Sequence, residues 1–258
     1  MAATTTNDGV DIAYDATGDG PAIVLVHGIT ECRRAWDPLV ADLATDHTVV
    51  AVDVRGHGES GSAATYDSQA MAGDAAAVVA ALGLGDPLVV GHSMGGIVVT
   101  AFAAEHACRG VVNVDQSIAL GDFQDLVRGA EPMLRSDEFG GVITALFDSM
   151  HGALPADEVA RISALRQPKQ DVVLGVWAPL LELSRDDLDA LVASLAASVH
   201  VPYLALHGID PGPGYAEWLR GAIPTATVEV WDGDGHYPHL VHPTRFLDRL
   251  RAFESTLA

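Results

Sequence analysis

The sequence predicts an α/β fold: an open, mostly parallel sheet flanked by helices and interrupted by a helical insertion. Three observations predict it. Short runs of β-branched and aliphatic residues alternate with helical stretches, the pattern of strands covered on both faces. That alternation lapses between about residues 118 and 199, where helical patterns dominate. A G-x-S-x-G pentapeptide, Gly91 to Gly95, lies directly after one apolar run and before a helix.

Taken in order, Val10 to Asp15 reads as an antiparallel edge strand. Ala22 to Val26 runs into His27-Gly28, and Thr48 to Val52 runs into Asp53. Leu88 to Val90 precedes Gly91, Val111 to Val114 precedes Asp115, and Tyr203 to Leu206 precedes His207-Gly208. Thr227 to Trp231 is the last run, before Asp232-Gly233. Uninterrupted apolar runs of this length suit parallel strands buried on both faces. Between them, Gln69 to Leu82 and Gly95 to His106 carry the small and apolar residues of packed helices. Tyr215 to Ala222 and Thr244 to Leu257 complete the later units.

In the insertion, Val142 to Met150, Glu158 to Leu165 and Asp186 to Ser198 read as helices, punctuated by Pro132, Pro155, Pro168 and Pro179. The expected organisation is a core of residues 1–117 and 200–258 with a helical cap over 118–199. Internal repeats and low-complexity linkers are absent from the sequence.

Lys and Arg number 14 against 35 Asp and Glu, a formal net charge of −21. Such a chain repels phosphate backbones and anionic lipid, so neither nucleic acid nor a membrane surface is an expected partner. The two cysteines, Cys32 and Cys108, lack metal-ligand spacing and read as unpaired thiols. The opening Met-Ala-Ala-Thr-Thr-Thr has neither the basic nor the apolar stretch of a secretory signal. No apolar run nears the ~20 residues that span a bilayer. A cytoplasmic protein is expected, with a small-molecule substrate as partner and a homodimer left open.

At a strand-to-helix turn, G-x-S-x-G describes a nucleophile elbow. The turn is sharp, so its flanks must be small, and Gly91, Gly95 and Gly96 satisfy that. Ser93 then stands at a helix N-terminus, where the dipole favours developing negative charge. Serine needs a base, and His236, just past the last strand, is the expected one. Loops at the carboxyl ends of parallel strands converge on one crevice.

These motifs resemble the α/β-hydrolase superfamily along nearly the whole chain. His27-Gly28-Ile29-Thr30 is similar to its oxyanion loop, Asp53-Val54-Arg55-Gly56-His57-Gly58-Glu59-Ser60 to its D-x-R-G-x-G-x-S turn, and Gly235-His236 to its histidine loop. The resemblance implies an oxyanion hole formed by the backbone N–H groups of Ile29 and Met94, donors worth roughly 3–4 kcal/mol each to a tetrahedral intermediate. No cofactor is expected.

The third member of a triad has two candidates. Asp210 lies in His207-Gly208-Ile209-Asp210-Pro211-Gly212, one residue short of the commoner H-G-x-x-D-P spacing. Asp115 follows the preceding strand, where some dehalogenase and dioxygenase branches of the superfamily carry their acid. Asp115 is preferred, and both satisfy the chain order Ser, Asp, His. His27 and His92 read as structural histidines, Asp53 and Arg55 as loop stabilisers, and His239 and His242 as too late to be the base. Metal ligation by the His236 to His242 cluster is not expected, since no carboxylate or thiolate pattern accompanies it.

Trp36, Phe123, Phe139, Phe147, Met150 and Trp177 are candidates for an apolar pocket between cap and sheet, with Gln116 as a polar contact. The expected activity is hydrolysis of a carboxylic ester, lactone or thioester of a mostly apolar small molecule through an acyl-enzyme. Cofactor-free oxygenation or perhydrolysis, and non-catalytic small-molecule reception, are the alternatives on the same fold.

Overall fold

A computed structural model describes residues 3–257. Eight strands form one sheet: β1 (Ala3–Asn7), β2 (Val10–Thr17), β3 (Ala22–Val26), β4 (Thr48–Val52), β5 (Leu88–His92), β6 (Gly110–Val114), β7 (Tyr203–His207) and β8 (Ala226–Val230). Their spatial order is β1-β2-β4-β3-β5-β6-β7-β8. β1 and β2 are antiparallel to their neighbours, and β3 to β8 run parallel. The predicted strand at Val10 is antiparallel, but it is not the edge. Ala3–Asn7 pairs outside it through a tight turn at Asp8-Gly9, both at positive φ. β1 is mostly polar and exposed, so hydrophobic patterning gave no sign of it.

Among the described residues, twelve α-helices surround the sheet. α1 (Asp37–Leu43), α2 (Ser68–Ala81) and α3 (Met94–Glu105) precede β6. α4 (Gly121–Leu134), α5 (Phe139–Asp148), α6 (Ala156–Leu165), α7 (Gln170–Val176), α8 (Ala178–Glu182) and α9 (Arg185–Ala197) all lie between β6 and β7. α10 (Tyr215–Ala222), α11 (Pro238–Val241) and α12 (Pro243–Glu254) follow β7. Among the described residues, no helix is long and apolar enough to cross a membrane.

The parallel strands are buried on both faces, which explains their continuous apolar runs. In β3, Val24 and Val26 enter one core while Ile23 and Leu25 enter the other, as the two-residue strand period requires. The first core takes α2, α3 and the inserted helices other than α6, the second takes α1 and α12, and Ile162 of α6 packs in a third cluster with Ala35, Leu154, Tyr237 and Leu240. α3 is apolar nearly all round because α2 and α9 pack against it as it lies on the sheet. Most insertion helices instead bury one stripe, such as Phe139, Ile143 and Phe147 of α5.

The chain goes from β3 outward to β4, then back across β3 to β5 and onward in the other direction. This reversal puts the loops after β3 and β5 side by side, at the carboxyl ends where open α/β sheets hold their ligands.

Candidate active site

Ser93 is the residue between β5 and α3, with φ 53° and ψ −126°. A non-glycine residue in that region is strained, and such strain persists only where its surroundings enforce it. The enforcement is visible. A Cβ on Gly91 would lie 2.0 Å from the Gly95 carbonyl oxygen, and one on Gly95 would lie 2.3 Å from that of Val26. The turn is therefore packed backbone against backbone, against both α3 and the end of β3. The Ser93 N–H donates to the Val114 carbonyl at 3.0 Å, which ties the turn to β6.

The loop after β3 approaches the same point. A Cβ on Gly28 would come within 3.3 Å of the Ser93 Cβ. Ile29 and Met94 line the cavity that holds Ser93. Met94 opens α3, so its N–H is among the helix-terminal amides that lack an intrahelical acceptor.

Asp115 follows β6 and is itself in the left-handed region, at φ 52°. Its Oδ2 lies 2.6 Å from His236 Nδ1. Its Oδ1 accepts from the N–H groups of Gly208 and Ile209, at 2.7 and 3.0 Å. Burial would raise this carboxyl. The hydrogen bond and charge of His236, with the two amides, outweigh that and hold it below the usual carboxylate range. Asp210, by contrast, is exposed and accepts from Gly212 N–H in its own turn at 2.9 Å. Asp115 is thus the carboxylate in contact with His236.

Ser93, Asp115 and His236 open onto one cavity of about 380 Å³ between the sheet and the inserted helices. Phe123, Phe147, Met150 and Trp177 line it, as does Gln116. Trp36 and Phe139 do not. Trp36 is fully buried on the opposite face of the sheet and packs on His239, while Phe139 is buried in the core among the inserted helices. Aromatic identity alone did not distinguish a pocket wall from a core side chain. Among the described residues, no lysine or arginine lines the cavity.

The remaining sequence motifs form the scaffold. Asp53 accepts from Arg33 N–H at 2.6 Å and from the Arg33 guanidinium, and Arg55 pairs with buried Asp74 at 2.7 and 2.9 Å. His27 bonds the Gly28 carbonyl at 2.8 Å, and burial lowers its pKa. His57 packs beside it, pushed down to about 3 mainly by burial.

Residues 21–179 match the family model of the alpha/beta hydrolase fold. The chain belongs to the α/β-hydrolase family. Esterase YbfF of Escherichia coli strain K12 is 27% identical over 243 residues, spanning 90% of this chain and 92% of YbfF. The esterase RhEst1 from Rhodococcus sp. ECU1013 superposes with a TM-score of 0.75 at 30% identity, covering 99% of this chain and 98% of RhEst1. Est816, described as an N-acyl homoserine lactone degrading enzyme, has a TM-score of 0.78 at 26% identity, covering 97% of this chain and all of its own, 100%. This α/β-hydrolase is accordingly an enzyme.

Sequence reasoning did not reach two features of this candidate site. The turn after α5 hydrogen-bonds the histidine loop, with Met150 accepting from His236 N–H at 2.9 Å and Ala153 N–H donating to Asp234 at 3.3 Å. Gly152 between two helical runs was the available signal: a Cβ there would meet Gly235 Cα at 2.4 Å. The second feature is Glu31, buried at 2% exposure beneath the site. Its partner Tyr237 is remote in the chain, so no local pattern exposed the pair.

Proposed function

We propose that this hydrolase cleaves a neutral, mostly apolar carboxylic ester, lactone or thioester through a Ser93 acyl-enzyme. The observation that carries this reading is the 2.6 Å contact of His236 Nδ1 with Asp115, in a cavity that Ser93 shares. With Nδ1–H directed to the carboxylate, Nε2 keeps its lone pair and accepts the Ser93 proton as Oγ attacks the carbonyl carbon. The backbone N–H groups of Ile29 and Met94 stabilise the oxyanion. As the tetrahedral intermediate collapses, the bond to the leaving oxygen breaks and His236 returns the proton to the departing alcohol. Water then gives a proton to His236 and attacks the acyl carbon; the bond from that carbon to Ser93 Oγ breaks, His236 returns its proton to Oγ, and the acid leaves.

Two features support the substrate class. The cavity wall is mostly aliphatic and aromatic, and its ionisable side chains include Asp67, Asp115, His207 and His236 but no lysine or arginine. The chain carries a formal net charge of −21. A substrate bearing its own carboxylate or phosphate finds no cation here and meets a repulsive field. Residues 118–199 act as a cap, since helices from that segment supply much of the cavity's apolar wall, including Phe123, Phe147 and Trp177, while Ser93, Asp115 and His236 come from outside it. The reading extends to a cytoplasmic enzyme that does not bind nucleic acid.

The test is hydrolysis of p-nitrophenyl esters by wild type and Ser93→Ala, with a fluorophosphonate label followed by intact mass. The expected outcome is turnover that falls on the order of 10⁵-fold in Ser93→Ala, and a label that attaches to Ser93. An unlabelled wild type without esterase activity would overturn the proposal.

A further inference from the structure

His236 sits in a loop that contains two left-handed glycines, Gly233 and Gly235, so the chain around it is intrinsically pliant. Two hydrogen bonds hold its main chain. The N–H donates to Met150, and the carbonyl accepts from His92 Nε2 at 2.8 Å. A carbonyl only accepts, so His92 carries hydrogen on Nε2. His92 is also the residue before Ser93. The side chain next to the serine therefore grips the backbone of the histidine that must face it.

The other ring nitrogen of His92 faces a carboxylate. Nδ1 lies 3.6 Å from Glu31 Oε2, beyond a hydrogen bond but within close charge range, with both side chains at or below 2% exposure. Glu31 Oε1 accepts from the Tyr237 hydroxyl at 2.7 Å, and that hydroxyl accepts in turn from Arg166 at 2.9 Å. Burial would raise the Glu31 carboxyl, yet His92 and Tyr237 hold it well below the usual range. An ionised carboxylate so deeply buried costs several kcal/mol unless it is compensated. Neither Glu31 nor His92 lines the cavity, so contact with substrate does not account for them. The His92 ring is packed by His236, Tyr237 and His239, with centroids 4.7, 4.8 and 4.7 Å away.

We propose that Glu31 and His92 are positioning residues for the base: Glu31 orients the His92 ring, and His92 fixes the His236 main chain so that its imidazole faces Ser93. The proposal rests on His236 being the base.

Three substitutions at His92 separate the donor from the ring. His92→Phe keeps an aromatic ring in the stack and removes the donor. His92→Gln places an amide N–H near the former Nε2, and His92→Asn places one too short to reach. Each is assayed for kcat and KM on p-nitrophenyl butyrate, for Tm, and for the low-field proton NMR resonance of the His236–Asp115 hydrogen bond. The phenylalanine and asparagine variants lower kcat on the order of 10- to 100-fold, the scale of a catalytic group misplaced by about an ångström. KM changes little, the low-field resonance shifts or broadens, and His92→Gln recovers most of both signals.

Wild-type kcat and an unmoved resonance in His92→Phe would overturn the proposal. So would equal losses in all three variants that simply follow Tm. If wild type cleaves no ester while the resonance responds as described, the positioning role stands and the esterase reading is what fails.

Discussion

Replacing Asp115 by asparagine changes one atom and separates two hydrogen-bonding demands. The carboxylate accepts on both sides, from Gly208 and Ile209 N–H at Oδ1 and from His236 at Oδ2. An amide accepts on one side only. If its oxygen keeps the two backbone donors, its NH₂ faces His236 and demands a lone pair on Nδ1. The proton then moves to Nε2, the nitrogen that must receive the Ser93 proton. The reverse orientation preserves the useful tautomer but leaves the buried Gly208 N–H and the partly buried Ile209 N–H against an NH₂. Each orphaned donor costs about 1–3 kcal/mol, so the wrong tautomer wins by roughly 2–6 kcal/mol. At ~1.4 kcal/mol per tenfold, that alone is about 30-fold to 10⁴-fold in kcat. Lost electrostatic support for the imidazolium adds to it, and the expected fall is on the order of 10³–10⁴-fold. The assay is kcat on p-nitrophenyl butyrate with Tm as a folding control, and Asp210→Asn in parallel. Asp210 meets only its own turn, so its variant stays near wild type. Activity within tenfold of wild type for Asp115→Asn, or collapse of Asp210→Asn alone, would refute the reasoning.

Gly95→Ala forces a Cβ to 2.3 Å from the Val26 carbonyl oxygen, where no side chain can give way, and is expected to cost more than about 3 kcal/mol. Gly85→Ala, with nothing within 4 Å, should leave the denaturant midpoint nearly unchanged. Leu146 lines both the Ser93 cavity and an outer apolar groove of about 600 Å³ between α4 and α5. Leu146→Ala should raise the kcat/KM ratio of dodecanoate to butyrate esters by roughly tenfold, the worth of about two newly buried methylenes; an unchanged ratio would show the groove is closed to substrate. Acid should destabilise the fold in two stages. His27, His57, His207 and His239 are depressed mainly by burial, so the unfolded chain takes up protons below about pH 6.5 while the folded one resists. Asp115 and Glu31 are depressed as well, which adds a second loss as pH falls below the ordinary carboxylate range. Tm should therefore fall from pH 7 to 5 and more steeply below; a constant or rising Tm would contradict those shifts.

The parallel sheet was legible in the sequence because strands buried on both faces need unbroken apolar runs, as in Ala22 to Val26 and Leu88 to Val90. The turn at Ser93 was legible because close backbone approach leaves only glycine at its flanks. Less local features were not. α4 carries glycine and Pro132 within it, and only packing against α8 and α9 reveals its buried stripe. β1 is polar, and it forms because β2 offers an edge with which its backbone pairs.

By itself, the sequence determined which chemistry-bearing residues stand at strand ends, because turn geometry and burial are written into neighbouring residues. Only the tertiary structure decided which of them meet. Asp115 and Asp210 both lie just past parallel strands and both fit the chain order, and the contact itself falls to a left-handed backbone at Asp115 that turns its carboxylate toward His236 and the amides after β7. Likewise Glu31, His92 and Met150 converge on the histidine loop, Tyr237 included, from three separate elements. A contact between residues far apart in sequence leaves no periodicity and no local spacing to read, so it exists only once the sheet has brought its loops together.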